Sequence, residues 1–336
     1  MVVLPFTLLR TLDRLPRSDV AITQEMLQLF SSDEMVGVFV SQDWWVHGEG
    51  RALGTPDYEE GERANLKFSV LCSGLVSLIE RHGLDESKVV VWMDWWSIDQ
   101  DSAVRKLRGI RSLVHYAQSC EFMLVPVRTP FPRREDGSAA EYPDQIEHYG
   151  RRSWCRAELF VHFLLSEMRN VHDGSESAAR LYAVGTDHRI VPFTSVEFTS
   201  DGDLPSQGLL SCEDDRPLIV SIEEQMISAF GHAVVRARCA GWPPIIDLSS
   251  KMLRDEHVAT LTEAVRSGAL DRTLELHLNW NPQLSRLPNL GSLSKLRKLS
   301  LAGCDALVRV PRVHRDVVIR PAHLALHTRA TEPLAG

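Results

Sequence analysis

A block of apolar residues repeats near the end of the chain with a spacing of 23 residues. The two copies are Leu276, Leu278, Asn281, Leu284, Leu287 and Pro288, then Leu299, Leu301, Cys304, Leu307, Val310 and Pro311. In a repeat of this kind the paired leucines point inward from a short strand, and the Asn or Cys bonds turn backbone inside a coil. A pair of amphipathic helices is the alternative, but the prolines would break such helices. The repeat therefore predicts a short solenoid.

The pattern L-x-L-x-x-N/C-x-x-L resembles that of leucine-rich repeats, and we assign it to residues 241–320. Residues 246–248 precede a helical pattern, so they are either part of a longer first coil or a cap. A solenoid needs about three units to bury its faces. We therefore expect this short one to pack against the domain that precedes it in the sequence. The resemblance implies a protein partner that docks on the repeats.

Strand and helix patterns alternate in front of the repeats. Short β-branched runs predict strands at 35–41, 89–94, 122–127, 181–184 and 190–193. Apolar residues at helical spacing predict helices over 62–82, 102–119 and 154–168. Such alternation is typical of an α/β domain in which helices cover both faces of a parallel sheet, and the continuously apolar strands agree with this.

Ligands of parallel α/β sheets bind beyond the carboxyl ends of the strands. That rule selects the ends of the first two predicted strands, with the candidate binding residues Ser41, Asp43, Trp44, Trp45, Asp94, Trp95 and Trp96. The tryptophan pairs either stack on a nicotinamide or adenine ring or form an apolar lid or partner surface. Asp94 either binds a ribose hydroxyl or caps the turn that follows it.

Two segments of the front domain resemble known families. Residues 92–100 resemble the W-x-D-x-x-x-I-x-Q segment of fungal heterokaryon-incompatibility (HET) domains. Residues 152–159 contain Trp-Cys-x-x-Glu-Leu and are similar to the S-x-W-C-x-x-E-L segment of Toll/interleukin-1 receptor (TIR) domains. The order of strands and helices over residues 35–195 also resembles that of TIR domains. This resemblance implies a flavodoxin-like fold used in immune or cell-death signalling.

The TIR resemblance also implies activities. Many TIR domains self-associate, and some cleave NAD⁺ at the nicotinamide–ribose bond with the Glu of the Trp-Cys-x-x-Glu segment as the catalytic residue. The matching position here is Glu158. Cleavage builds positive charge on the sugar, which a nearby carboxylate stabilises. Residues 41–45 read Ser-Gln-Asp-Trp-Trp rather than Phe-Arg-Gly-Glu-Asp, and the insertion at 128–150 is long, so substrate and activity stay open.

Three functions are therefore compatible with the sequence. The first is a signalling protein whose TIR-like domain is an NAD⁺ nucleosidase, with NAD⁺ as substrate and no cofactor. The second is a non-catalytic scaffold that acts through self-association of the TIR-like domain. The third is an unrelated nucleotide-binding α/β enzyme, although the chain has no Walker loop, no G-x-G-x-x-G after a strand and no H-E-x-x-H.

Composition excludes several classes of protein. A net charge of −8 gives no basic footprint, so we expect no nucleic-acid partner. The six cysteines show no C-x-x-C spacing, which argues against a metal site and a disulfide framework and favours a reduced, cytoplasmic setting. We expect neither a signal peptide nor a membrane span, because no apolar stretch reaches ~18 residues.

These patterns divide the chain into five segments. They are an N-terminal extension (1–34), the TIR-like domain (35–195), a connector or domain completion (196–240), the leucine-rich repeats (241–320) and a tail (321–336). Within the extension we expect a helix around residues 22–30. Within the connector we expect a helix over residues 217–230, opened by acidic side chains.

Overall fold

The structure is a computed structural model. It describes residues 1–18, 25–43, 45, 56–57, 61–128, 149–173, 180–192, 204–210, 212–309 and 311–321. The candidate residue Trp44, most of the predicted insertion and nearly all of the tail lie outside the described residues. The chain divides into two compact units. Unit 1 comprises residues 1–167 and 176–223, and unit 2 comprises residues 168–175 and 224–336.

Unit 1 is built on a seven-stranded sheet with the order β2-β1-β4-β3-β5-β6-β7. Its strands are β1 Val2–Pro5, β2 Gln28–Leu29, β3 Val36–Val40, β4 Val89–Met93, β5 Phe122–Pro126, β6 Leu181–Val184 and β7 Ile190–Pro192. The four central strands β4, β3, β5 and β6 pair in parallel, and the outer strands pair antiparallel. The predicted α/β class with a mostly parallel sheet is therefore confirmed.

Eight helices accompany the strands in the part of the chain that the structure describes. They are α1 Phe6–Leu9, α2 Leu66–His82, α3 Asp94–Ser97, α4 Ala103–Arg111, α5 Leu113–Ser119, α6 Ser153–Asp173, α7 Arg216–Cys239 and α8 Val258–Arg266. Single 3₁₀ turns occur at Glu86–Lys88, Pro205–Gln207, Glu213–Asp215 and Asp255–His257.

Helices lie on both faces of the large sheet because successive strand residues point to opposite sides. Val38 and Val40 belong to one buried cluster, which includes the apolar stripe of α2. Phe39 points the other way, where its ring stacks on Trp92 and contacts His162 of α6. Helix α2 approaches the sheet closely at Gly74, where an added Cβ would meet a Val184 methyl at 2.8 Å.

The N-terminal half differs from the sequence expectation in two places. Residues 28–29 form the edge strand β2 rather than helix, and β1 pairs with β4, so the predicted extension contributes strands to the sheet. The helix predicted over 102–119 is two helices, because Ser112 leaves the helical conformation between them. Val104 and Leu107 of the predicted apolar stripe are 63% and 42% exposed, since α4 does not bury that stripe.

Unit 2 contains a four-stranded parallel sheet with the order β11-β10-β9-β8. Its strands are β8 Ile245–Asp247, β9 Glu275–His277, β10 Lys298–Leu301 and β11 Val318–Pro321. The repeated leucines are in register, since Leu276 pairs with Leu299 and both are fully buried. Residues 246–248 of the sequence analysis supply most of β8, which pairs with β9.

The two repeated polar positions bond backbone inside this unit. The Asn281 amide donates to Leu278 O at 2.7 Å and to Leu248 O at 3.0 Å, and its oxygen accepts from Leu253 N at 2.9 Å. The Cys304 thiol donates to Leu278 O at 3.1 Å. Both side chains are buried, and together they pair the carbonyl groups of Leu248 and Leu278 inside the unit.

One described stretch, Glu213–Cys239, is long and apolar enough to cross a membrane by length and composition alone. Half of its most apolar window is buried within the protein. Buried core helices of soluble proteins pass the same test, and Glu223 is among the buried residues here. The stretch therefore gives weak support for a membrane location and is compatible with a soluble protein.

Candidate functional site

A cavity of about 440 Å³ lies beyond the carboxyl ends of β3 and β4 in unit 1. Its lining includes Gln42 after β3, Asp94 after β4, and Arg152, Trp154 and Glu158 around the first turns of α6. This volume falls within the range of small-molecule sites. The cavity occupies the edge of the sheet that the strand-end rule selects for ligands.

Glu158 contributes an acidic group to the cavity wall. Its half-buried carboxylate accepts a hydrogen bond from the Ser41 hydroxyl, which also contacts the Tyr149 hydroxyl. Burial, followed by the nearby Asp94 carboxylate, raises the pKa of Glu158 to about 8, although Ser41 and Arg152 oppose that shift. Glu158 therefore exchanges a proton close to neutral pH, a property that is frequent among catalytic carboxyl groups.

The groups behind Glu158 remain protonated. Burial raises the pKa of Tyr149 well above its usual range, and it also raises the pKa of the Cys155 thiol. The thiol donates to the carbonyl of Gln42 at 3.5 Å. Because a thiol is nucleophilic only as the thiolate, Cys155 is packed as a neutral group and is not an activated nucleophile.

Asp94 is the first residue of the short helix α3. Its Oδ1 accepts from Gln42 Nε2 at 2.8 Å, and its backbone carbonyl accepts from Gln100 Nε2 at 2.7 Å. Among the described residues its carboxylate makes no capping bond, whereas Asp99 accepts from the amide of Ser102 at 2.8 Å. Of the two roles considered for Asp94, the geometry favours the one that faces the cavity.

The three candidate tryptophans that the structure describes do not face the cavity. Trp45, Trp95 and Trp96 are all buried in the core of unit 1, and none of them lines the cavity. Helix α3 directs the Trp96 side chain into the core, where its indole donates to Val91 O of β4 at 3.2 Å. The ring stacking expected of these residues is therefore not available to a ligand in the cavity.

One other indole is open to the cavity. Trp154 lines it and is half-buried, because it lies in the first turn of α6, and its Nε1 donates to Asp215 Oδ2 at 3.1 Å. Trp92 also borders the cavity, but its ring is buried and stacks on Phe39. The position of Trp154 in the Trp-Cys-x-x-Glu segment was the available signal, since a helix places residues four apart on one face.

Asp43 and Trp45 are buried next to the Lys67 ammonium, among the residues that follow β3. The Asp43 carboxylate forms an ion pair with Arg128 at 2.7 Å, and the Trp45 ring lies under the ammonium of Lys67. Lys67 is fully buried, and this burial lowers its pKa from 10.5 to about 8. Neither Lys67 nor Gln42 was a candidate, because a lone lysine in a helical pattern is ordinarily exposed.

The cavity carries both signs of charge. Lys106 and Arg152 line it together with the acidic side chains of Asp94, Glu158 and Asp215. Guanidinium and ammonium groups bind phosphate oxygens, so the cationic side chains suit a phosphorylated ligand. In the described part of the chain no three His, Cys, Asp or Glu side chains are grouped closely enough to hold a metal ion.

Comparison with known proteins identifies no relative. No protein-family model, no curated protein and no solved structure matches the chain. The TIR and HET resemblances consequently depend on the short segments quoted above. What the protein does has to be argued from the cavity, its carboxyl groups and the buried polar side chains around Lys67.

Proposed function

We propose that unit 1 is a TIR-like domain of flavodoxin-like topology that hydrolyses the nicotinamide–ribose bond of NAD⁺. We further propose that residues 241–320 form a short leucine-rich-repeat segment that docks a protein partner, within a cytoplasmic signalling protein. The observation that carries the enzymatic proposal is the placement of Glu158. The residue matched by motif to a catalytic glutamate lines a cavity of about 440 Å³ at the ligand-binding edge of a parallel sheet.

Hydrolysis of this bond requires little acid catalysis. The C1′–N1 bond breaks and its electron pair neutralises the pyridinium ring, which leaves as nicotinamide. Positive charge develops on C1′ and the ring oxygen of the ribose, and a water molecule adds to C1′ with loss of a proton. An ionised Glu158 beside the ribose stabilises that charge and accepts the proton.

The remaining groups suit the parts of such a substrate. The half-buried indole of Trp154 offers apolar surface to a planar ring at the cavity wall. Arg152 supplies a cation for a phosphate group, and Asp94 supplies an acceptor for sugar hydroxyls. A cationic nicotinamide ring also favours the ionised form of Glu158, whose pKa burial raises to about 8.

The repeat proposal is supported by unit 2. Strands β8 to β11 pair in parallel, and Leu276 and Leu299 of the two sequence repeats are paired in register. The buried Asn281 amide bonds backbone of neighbouring segments, which supports the repeat pattern. Ile245 and Val318 on the outer strands of this sheet are exposed, and this side of the sheet is the surface on which a protein partner would dock.

NAD⁺ consumption by the purified full chain tests the enzymatic proposal. We expect release of nicotinamide and ADP-ribose, measured by chromatography, and a loss of about 10³-fold in rate for Glu158→Gln. The matched control is Glu80→Gln, which removes an exposed glutamate of the same unit and should leave the rate unchanged. Both variants are compared by circular dichroism to show that the fold is retained.

Three results would contradict the proposal. Absence of turnover at protein concentrations that allow self-association would favour the non-catalytic scaffold. Equal rates for the wild type and Glu158→Gln would remove the carboxylate from the mechanism. Binding of a phosphorylated nucleotide without cleavage would instead favour an unrelated nucleotide-binding enzyme.

A further inference from the structure

The ammonium of Lys67 is buried, and no carboxylate among the described residues pairs with it directly. Its ammonium donates to the side-chain oxygen of Gln42, to Asp43 O at 2.6 Å and to Pro56 O at 3.4 Å. These three acceptors are all neutral, and the side chain is fully buried. Burying a charge among neutral groups costs free energy, so such an arrangement calls for a role beyond packing.

The ammonium determines which way the Gln42 amide points. An ammonium group has only donors, so it must face the amide oxygen, and the amide nitrogen must then point away from it. That nitrogen donates to Asp94 Oδ1 at 2.8 Å. Without Lys67 the amide could rotate and present its oxygen to the carboxylate, which would repel Asp94. Lys67 therefore holds Gln42 in the orientation that binds Asp94.

One carboxylate oxygen of Asp94 is left to accept a hydrogen bond from a ligand. Oδ1 is occupied by Gln42, while Oδ2 makes no hydrogen bond to any described residue, and both side chains line the cavity. The second N–H of the Gln42 amide is also unused in the described part of the chain. A fixed carboxylate oxygen beside a fixed amide donor matches the two neighbouring hydroxyls of a ribose, one donating and the other accepting.

We propose that Asp94 and Gln42 form a binding site for a ribose cis-diol, and that Lys67 is the positioning residue that keeps this site in its diol-binding arrangement. The inference rests on the proposed function, because it places the sugar of the substrate in the same cavity. It adds a specificity: the site selects ribose over 2′-deoxyribose. Substrate hydroxyls that meet preorganised partners are discriminated strongly from analogues that lack them.

The anchoring of neighbouring segments does not account for Lys67. Asp57 already ties its segment to the start of α2, because its carboxylate accepts from Lys67 N at 2.9 Å and from Phe68 N at 2.8 Å. These bonds use backbone amides and survive replacement of the lysine side chain. The longest of the three ammonium contacts is the one to Pro56, so the ammonium acts mainly on residues 42 and 43.

Equilibrium binding of nicotinamide riboside and its 2′-deoxy form tests the inference. The measurements use full-length Glu158→Gln protein, so that the glycosidic bond stays intact. We expect a Kd ratio of at least about tenfold in favour of the riboside. Adding Lys67→Met should bring the ratio close to one. Adding Lys88→Met, which removes an exposed lysine of the same unit, should leave the ratio unchanged.

Gln42→Glu provides a second variant if Lys67→Met fails to fold. It keeps Lys67 paired but replaces the amide donor with an acceptor beside Asp94, so the ratio should again approach one. A purely structural role would weaken both ligands equally and leave the ratio unchanged, which would overturn the inference. No binding of either riboside would overturn it as well. Selective binding by a wild type that does not cleave NAD⁺ would support the inference while the proposed function fails.

Discussion

Asn281 of unit 2 and the pair Glu158 and Lys67 of unit 1 are buried polar groups of different kinds. Asn281 is neutral, and its amide is bonded to backbone on both its donor and acceptor sides. Glu158 and Lys67 are ionisable, and burial moves the pKa values of both to about 8. Glu158 lines the cavity of about 440 Å³, and so does Gln42, which accepts from Lys67.

This difference separates groups that maintain a fold from groups that perform a task. A fully bonded neutral amide stabilises its surroundings at every pH, because nothing in it titrates near neutrality. An ionisable group whose charged form is disfavoured by burial lowers stability at the pH values where the unfolded chain carries that charge, and such groups concentrate where chemistry needs them.

The largest stability effect is expected at Asn281. Replacing it by Ala leaves the buried carbonyl of Leu248 and the amide of Leu253 without partners, which should lower the free energy of unfolding by about 3 kcal/mol. The loss should be the same at pH 6 and pH 9. Urea unfolding followed by circular dichroism measures it, with the exposed Asn289→Ala as control. A loss below that of the control would contradict a structural role.

Glu158→Gln should have the opposite sign and depend on pH. Because the folded pKa is about 8 and the ordinary value is 4.5, the folded protein keeps a proton that the unfolded chain has lost between these values. Wild-type stability therefore falls as pH rises through this window. The glutamine variant lacks that fall, so at pH 9 it should exceed the wild type by about 2 kcal/mol, a value reduced for partial solvent exposure.

Thermal unfolding at pH 5 and pH 9 measures this difference. Near pH 5 the two proteins should be similar, since Glu158 is protonated in the folded state and partly protonated in the unfolded chain. The Lys67 contribution, which rises between pH about 8 and 10.5, is common to both and cancels. A glutamine variant that is less stable than the wild type at pH 9 would show that the carboxylate stabilises the fold.

The pH dependence of NAD⁺ cleavage is the next effect in size. If the ionised carboxylate of Glu158 acts, kcat/KM should rise about tenfold between pH 7 and pH 9, because the pKa of that group is about 8. Asp94, Arg152, Tyr149 and Cys155 face the group, and only Arg152 among them favours its ionisation electrostatically. A rate that falls over the same interval would identify the protonated form as the active one.

Much of the sheet could be predicted because each central strand is marked by a run of apolar residues within the strand itself. The strands over 89–94 and 122–127 are continuous apolar runs, and such runs are buried whichever way the chain continues. The separation of the helices at Ser112 could not, since no proline or glycine stands there. The strand at residues 28–29 was missed because it forms only by pairing with β1.

Two residues of the candidate site could be predicted, one from a sequence motif and one from its position after a strand. Glu158 was located through the Trp-Cys-x-x-Glu segment, and Asp94 through its position after a strand. The direction of Trp95 and Trp96 depends on the short helix α3, which no periodicity indicates over four residues. Gln42 gains its role through a lysine 25 residues away, a relation that becomes visible only when β3 and α2 meet in space.

The smallest effect, at Cys304, tests the comparison most finely. Cys304 stands at the position equivalent to Asn281 in the second sequence repeat, but it makes one bond, so Cys304→Ala should cost about 1 kcal/mol. Both side chains donate to the same Leu278 carbonyl, at 2.7 Å from Asn281 and 3.1 Å from Cys304. Either donor alone keeps that carbonyl paired. The double variant should therefore lose about 0.5–1 kcal/mol more than the two single losses together. Strict additivity in a double-mutant cycle would mean that Asn281 and Cys304 do not share the Leu278 carbonyl as an acceptor.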